Sequence, residues 1–402
     1  MDTMALALRT TITFLLCSAA GVTLASASKF DACLDRIRAE AIEQGIDQTT
    51  AVELLADVSP DPRVIELDRQ QPEFTSTLGG YLESRLTPAR LEQGQRLLAR
   101  HERLLERITK KYGVPGHYLI AFWGLETNYG SYTGRMSTVR SLATLACDRR
   151  RGDFFARELL AALQLVDQHV LNPDQLQGSW AGALGNFQFL PSVYRDYAVD
   201  ADGDGRPDLW SSFEDAAESA AAFLNARGWQ AEQSWGLEVQ LPEGFDLSLV
   251  ESTQPMPQWQ AAGIRQANQA PLPDSHLAAE LILPAGLRGP AFLVHANFNV
   301  IMRWNPSRFY ALSVGLLADQ IMGGPSLFTS PPDDQPLRIE QVRSVQRELN
   351  RQGHNAGNVD GRIGPGTRNA LRSFQAATGL PADGYPDPQT LTALGIDLNA
   401  SE

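Results

Sequence analysis

The chain has 402 residues, 43% of them hydrophobic and 20% charged, enough apolar material for at least two compact cores. A formal net charge of −13, with no block of Lys or Arg, argues against nucleic acid and anionic lipid as partners and leaves carbohydrate the better fit. The first 27 residues do not alter that charge, because Asp2 and Arg9 cancel.

Arg9 is followed by an apolar run from Ile12 to Leu24 and then by Ala25, Ser26 and Ala27, the small-x-small pattern of a secretory cleavage site. Residues 1–27 therefore read as a signal peptide, and the chain as exported to the periplasm. Cys17 lies within the run, but the bulky Leu16 before it argues against a lipid anchor. No other segment approaches the roughly 20 apolar residues that a membrane span requires. Removing the leader leaves Cys33 and Cys147, an even pair in an exported chain, so a disulfide tying the N-terminal segment to the core is expected, with two buried free thiols as the alternative.

From Phe30 to about Tyr112 charged and apolar residues interleave with helical period, as in LTPARLEQGQRLLARHERLLERITKKYG. The helical pattern continues from Val114 to about Trp229, broken by Gly-rich and Asp-rich loops. A helix starting near Pro115 would carry Leu119, Phe122, Trp123 and Glu126 on one face, at i, i+3, i+4 and i+7. A carboxyl group at the end of a buried aromatic stripe loses hydration, which favours its protonated form and suits it to act as a general acid. The plainer alternative is a helix-terminal acid that reaches water or an Arg. Asn128, Tyr129 and Gly130 follow, with Gly130 expected as the left-handed residue that ends the helix.

GSWAGALGNFQFLPSVY, residues 178–194, mixes small, aromatic and polar residues as a sugar cleft does, and Ser179 and Gln188 could bond hydroxyl or acetamido groups. A Gly-rich helix junction would look similar. Next comes DADGDGRPDLWSSFE, with Asp200, Asp202 and Asp204 at loop positions 1, 3 and 5 and Gly205 at 6, the order of a calcium loop. Position 12 is Ser211, which cannot supply the usual bidentate carboxylate, so a solvated turn capping the next helix is the alternative. His117, His295 and His354 each stand alone and read as packing or surface residues, and no zinc motif is present.

Between Trp235 and about Val294 short alternating runs such as GLEVQLP, AELILP and AFLVHA predict a small mixed α/β subdomain inserted in the helical body. Helical signal returns in NPSRFYALSVGLLADQIMGG, and residues 323–337 have the composition of an exposed linker. The remaining segment repeats D-G-x-x-x-P-x-T-x-x-A-L, from Asp360 to Leu371 and again 23 residues later from Asp383 to Leu394. In each copy an Asp-Gly turn precedes a Pro suited to the first helical position.

With its VDG, GPxT and FQxxxGLPxDG signatures, that segment resembles the three-helix peptidoglycan-binding domain of bacterial cell-wall enzymes. AFWGLETNYG together with residues 178–194 resembles the catalytic domain of the lytic transglycosylase B family, lysozyme-like enzymes that cleave peptidoglycan glycan strands. The resemblance implies a mainly α fold: signal peptide 1–27, lysozyme-like catalytic domain 28–322 with its inserted subdomain, linker 323–337 and binding domain 338–398. It implies that Glu126 is the sole catalytic acid and base, and that Ser179, Gln188, Phe189, Arg150, Arg151, Asn305, Tyr310 and Tyr81 contact substrate. It extends the acidic loop to position 15, so that Asp200, Asp202, Asp204, the carbonyl of Arg206 and Glu214 would hold a structural Ca2+. No cofactor is needed for the chemistry. The implied partners are glycan strands, with other cell-wall enzymes as candidates. Ala222 stands where some members carry a cleft Tyr and Trp304 where some carry another aromatic, so subsite specificity does not transfer.

The implied reaction is non-hydrolytic cleavage of the bond between N-acetylmuramic acid and N-acetylglucosamine, leaving 1,6-anhydro ends. Two rival readings remain at this point. One is a hydrolytic muramidase using Glu126 with a second acid such as Asp148 or Asp153; the other is a noncatalytic wall binder.

Overall fold

A computed structural model describes the backbone of residues 17–69, 76–148 and 150–396, with side chains from Lys29 onward. Of the expected leader, residues 1–16 lie outside the described residues. None of the described helices is long and apolar enough to cross a membrane.

The chain divides into two compact units. The first comprises residues up to 66, 134–184 and 189–195. It is built on helices Cys17–Glu43, Gln48–Leu55, Thr138–Ala146 and Gly152–Asp167. Asp47 and Ser137 cap two of these by accepting from the backbone N–H of Thr49 and Arg140, which satisfies donors the first turn leaves open. Leu34, Ile37, Leu142, Leu145, Leu159 and Leu163 form its buried centre. Strands β1 (Met136–Ser137) and β2 (Gln177–Gly178) pair antiparallel. Cys33 and Cys147 are joined by a disulfide with their Cα atoms 5.9 Å apart, closing a loop of 114 residues. Cys147→Ser is expected to lower stability by about 2–5 kcal/mol, measured by denaturant titration against the oxidised wild type.

The second unit holds residues 67–133, 185–188 and 196 onward. The long charged stretch with helical period forms two helices, Pro88–Arg100 and Glu102–Tyr112, separated at His101. Thr87 caps the first, and left-handed Gly113 ends the second. Helices Leu78–Arg85, Gly116–Thr127, Phe213–Ala226, Ala296–Trp304 and Arg308–Ile321 complete the helical body. The alternating runs form an antiparallel sheet of β3 (Gly236–Gln240), β4 (Thr253–Pro255), β5 (Arg265–Gln266), β6 (Ala278–Ile282) and β7 (Ala291–Val294), in the order β4-β6-β7-β3-β5. Leu293 of central β7 sits opposite Leu237 and Leu281, and one sheet face packs on the fully buried Trp259.

The segment expected as an exposed linker is largely exposed but tied down. Backbone N–H groups of Phe328 and Thr329 donate to the carboxylate of Glu238, and Arg288 pairs with Asp334 at 2.6 Å. Both anchors come from the sheet subdomain, whose charges the linker's composition cannot reveal.

The C-terminal helices Ile339–Arg351, Pro365–Ala377 and Pro388–Ala393 enclose Val345, Leu349, Leu371, Phe374 and Leu391. The sequence repeat has a structural counterpart. Buried Gln346 donates to Asp360 Oδ1, the Arg362 carbonyl and Thr367 Oγ1, and accepts from Gly361 N–H. Gln375 makes the same set with Asp383, Tyr385, Thr390 and Gly384. Gly361 and Gly384 have φ of 81° and 78°, where a side chain would be strained, and so each Asp-Gly turn can wrap its glutamine.

This module is docked by charge. Arg368 and Arg372 reach Glu251 at 2.6 and 2.7 Å, Arg308 pairs with the same carboxylate, and Asp383 accepts from Leu287 N–H at 2.9 Å.

Candidate active site

Helix Gly116–Thr127 is apolar enough to be buried on all sides, not along one stripe, with only His117 and Glu126 partly exposed. Burial pushes the His117 imidazole down to about 4, so it is neutral at working pH and serves as packing. Glu126 lies one residue before the helix ends. The left-handed turn begins earlier than expected, with Asn128, Tyr129 and Gly130 at φ of 49°, 60° and 78°. Asn128 tolerates this conformation better than most residues because its short side chain can bond locally, here to Ser131 Oγ.

Asn186, which the sequence reading passed over, fastens this helix end. Its side chain accepts from Trp123 Nε1 at 2.9 Å and donates to the carbonyls of Leu209 and Trp210. Its own carbonyl accepts from Thr127 Oγ1 at 2.8 Å. Four bonds on one buried amide residue hold the carboxylate-bearing turn in a single position.

The Glu126 carboxylate faces a cavity of about 190 Å³. Tyr81, Asn305 and Tyr310, all expected near substrate, line it together with Glu126, and Arg85, Leu125 and Ser313 complete the wall. Glu126 Oε1 accepts from Trp304 Nε1 at 2.9 Å and from the Tyr310 hydroxyl. Burial, reinforced by the adjacent Glu126 charge, raises the Tyr310 hydroxyl well above its ordinary range, so it stays a donor throughout the working pH. The Phe122 ring centre lies 4.6 Å from that of Trp304 and 6.3 Å from that of Tyr310, so both donors pack on the same buried aromatic ring. Trp304, which read in sequence as a departure from the family pattern, is a direct partner of the acid. Among the described residues that line this cavity, none is a second carboxylate.

Gln188 belongs to the same unit. Its backbone is left-handed (φ 51°) and its amide nitrogen donates to the carbonyls of Thr133 and Gly185, both at 3.0 Å. The other expected contact residues belong to the first unit. There Ser179 Oγ accepts from Ala183 N–H at 3.1 Å, closing the Gly-rich turn, and Phe189 is buried and bridged to Leu184. Arg151 is left-handed (φ 64°), its guanidinium lies 5.0 Å from the Phe155 ring, and the backbone N–H of its neighbour Arg150 donates to Asp148.

In the acidic loop, the carboxylates of Asp200, Asp202 and Asp204 come within 4.8 Å of one another, each held by backbone N–H groups of the loop. Gly205 turns at φ 107°. Glu214, expected to complete the set, instead pairs with Arg107. The neighbouring Asp215 organises the loop: fully buried, it accepts from the N–H groups of Ala201, Asp202 and Asp208. Sequence spacing could not tell which of two adjacent acids faces inward.

Residues 29–319 match the transglycosylase SLT domain, and residues 338–394 match a peptidoglycan binding domain. The chain is 32% identical to the membrane-bound lytic murein transglycosylase B of Escherichia coli over 294 residues, covering 69% of this chain and 79% of that protein. It resembles the crystal structure of SltB3 from Pseudomonas aeruginosa in complex with NAG-anhNAM-pentapeptide, with a TM-score of 0.86 and 47% identity, covering 91% of this chain and 99% of that one. It also resembles the Escherichia coli lytic transglycosylase Slt35 in complex with calcium, with a TM-score of 0.61 and 30% identity, covering 73% and 92%. On these grounds, and with an acid set by aromatic donors in a cavity of its helical body, the chain belongs to the transglycosylase SLT family, the lytic murein transglycosylases, enzymes that act on peptidoglycan.

Proposed function

We propose that Glu126 alone performs the proton transfers of a non-hydrolytic cleavage between N-acetylmuramic acid and N-acetylglucosamine. The observation that carries this reading is a cavity in which Glu126 is the one carboxylate among the described lining residues, and in which it accepts from two neutral donors. Protonated Glu126 gives its proton to the glycosidic oxygen as the bond to muramyl C1 breaks, and the substrate acetamido oxygen supports the positive charge at C1. The resulting carboxylate takes the proton of the C6 hydroxyl while that oxygen bonds to C1. Water is neither consumed nor released, and a 1,6-anhydro end results. Trp304 and Tyr310 fix the carboxyl group against rotation in both halves. The NAG-anhNAM-pentapeptide bound to the relative SltB3 carries the same kind of sugar end.

Product mass tests this reading. Digestion of purified wall should release anhydro-ended fragments without uptake of oxygen from labelled water. Reducing ends, heavier by one water, would mean hydrolysis with a second acid such as Asp148 or Asp153.

The leader and the wall-binding module support export to the periplasm, with glycan strands as the partner. Amino-terminal sequencing of protein secreted by the native pathway is expected to begin at Ser28.

The acidic loop fits a structural Ca2+, since three hard carboxylate oxygens converge there. Asp200, Asp202 and Asp204 would hold the ion, and Slt35 is known in complex with calcium. The ion would stiffen the loop before helix Phe213–Ala226. Calcium at about 100 times its dissociation constant is expected to stabilise the protein by about 2.7 kcal/mol, read as a raised melting midpoint that Asp202→Asn abolishes.

A further inference from the structure

Arg85 has no place in the proton transfers described above. It ends helix Leu78–Arg85, one turn after Tyr81, so both side chains emerge on the same face and line the Glu126 cavity. Its guanidinium carbon lies 5.1 Å from the centre of the Tyr81 ring, which occupies one face of the group. Its Nε is buried and has no hydrogen-bond partner among the described residues. It is close enough to Tyr310 for its charge to favour loss of the hydroxyl proton, against the pull of Glu126. The cavity thus contains a cation with an unsatisfied buried donor, next to the group that would meet the reacting sugar. A buried donor without a partner is costly, and the planar edge of a guanidinium matches a carboxylate better than a hydroxyl.

We propose that Arg85 positions the substrate by binding a carboxylate of the muramyl substituent in this cavity. Two sources offer that group: a free lactyl carboxylate on glycan stripped of its peptides, and a carboxylate of the stem peptide. This rests on the Glu126 cavity being the reaction centre.

The test compares full-length wild type, Arg85→Met, Arg85→Lys and Glu126→Gln on four substrates: stem-bearing glycan, stripped glycan, and each with its carboxylates converted to amides. Arg85→Met is expected to raise KM roughly ten-fold or more on carboxylate-bearing glycan while kcat falls less than about three-fold, as for loss of a charge-assisted bond made in the ground state. Amidation should remove most of that penalty, and Arg85→Lys should recover part of the binding. A penalty confined to stem-bearing chains identifies the stem carboxylate as the partner, and one on stripped chains the lactyl carboxylate; either supports the proposal. An equal loss on amidated substrates, or a fall in kcat with unchanged KM, overturns it. Activity remaining in Glu126→Gln would instead overturn the catalytic reading, so the two failures are distinguishable.

Discussion

Glu126→Gln is expected to lower kcat by at least ~10²–10⁴-fold while leaving folding and wall binding intact. The amide has nearly the same shape, and its oxygen can still accept from Trp304 Nε1 and the Tyr310 hydroxyl, which together fix the native carboxylate. It has no acidic proton to give and cannot take one from the C6 hydroxyl, so both halves of the reaction fail together. Release of anhydro-ended fragments from purified wall measures the loss, and sedimentation with insoluble wall measures the binding. A wall binder without catalysis would show the same lysis before and after the substitution. A two-acid hydrolase would show a comparable loss on Asp148→Asn or Asp153→Asn, which the single-acid cavity does not predict.

The largest effect on stability is expected at Glu251. This carboxylate takes Arg368 at 2.6 Å and Arg372 at 2.7 Å from the C-terminal module and also pairs with Arg308. Glu251→Ala leaves three arginines around an absent anion; breaking a fully buried pair costs about 3–5 kcal/mol, and the lower end of that range is expected for this partly buried cluster. Denaturant titration should show that loss, with the module loosening first. Although burial opposes it, the surrounding arginines hold the Glu251 carboxyl at about 2, down from 4.5. Because this group is lowered on folding, its contribution is complete above about 4.5 and disappears as pH falls through about 2. Acid unfolding of the wild type between those values should therefore be steeper than that of Glu251→Ala. Arg308 also starts the helix that carries Tyr310, so the variant's kcat reports whether docking of the module and placement of the acid's donor are linked.

Much of this was legible from local pattern. The apolar run before Glu126, the alternating runs of the sheet and the Asp-Gly repeat each follow from neighbours a few residues apart. The helix around Glu126 nevertheless proved buried on every side, because other helices cover the face that periodicity alone would leave to solvent. The repeat showed its turns but not the two glutamines they wrap, since Gln346 and Gln375 lie in the helix before each turn, outside the repeated string. At the acidic loop, Asp200, Asp202 and Asp204 converge as their spacing implies, whereas Glu214 turns toward Arg107, a residue 107 positions away.

By itself the amino-acid sequence determined where the acid lies, that it ends an apolar helix, and that a repeated module follows the catalytic body. Those are properties of hydrophobic period and turn chemistry, which act over a few bonds. Only the tertiary structure decided what touches the acid: Trp304 and Tyr310 come from 178 and 184 residues further along, and Arg85 from a helix that precedes it. Hydrogen bonds of that range exist because separate helices pack their side chains into one cavity, and no local pattern specifies which atoms will meet there.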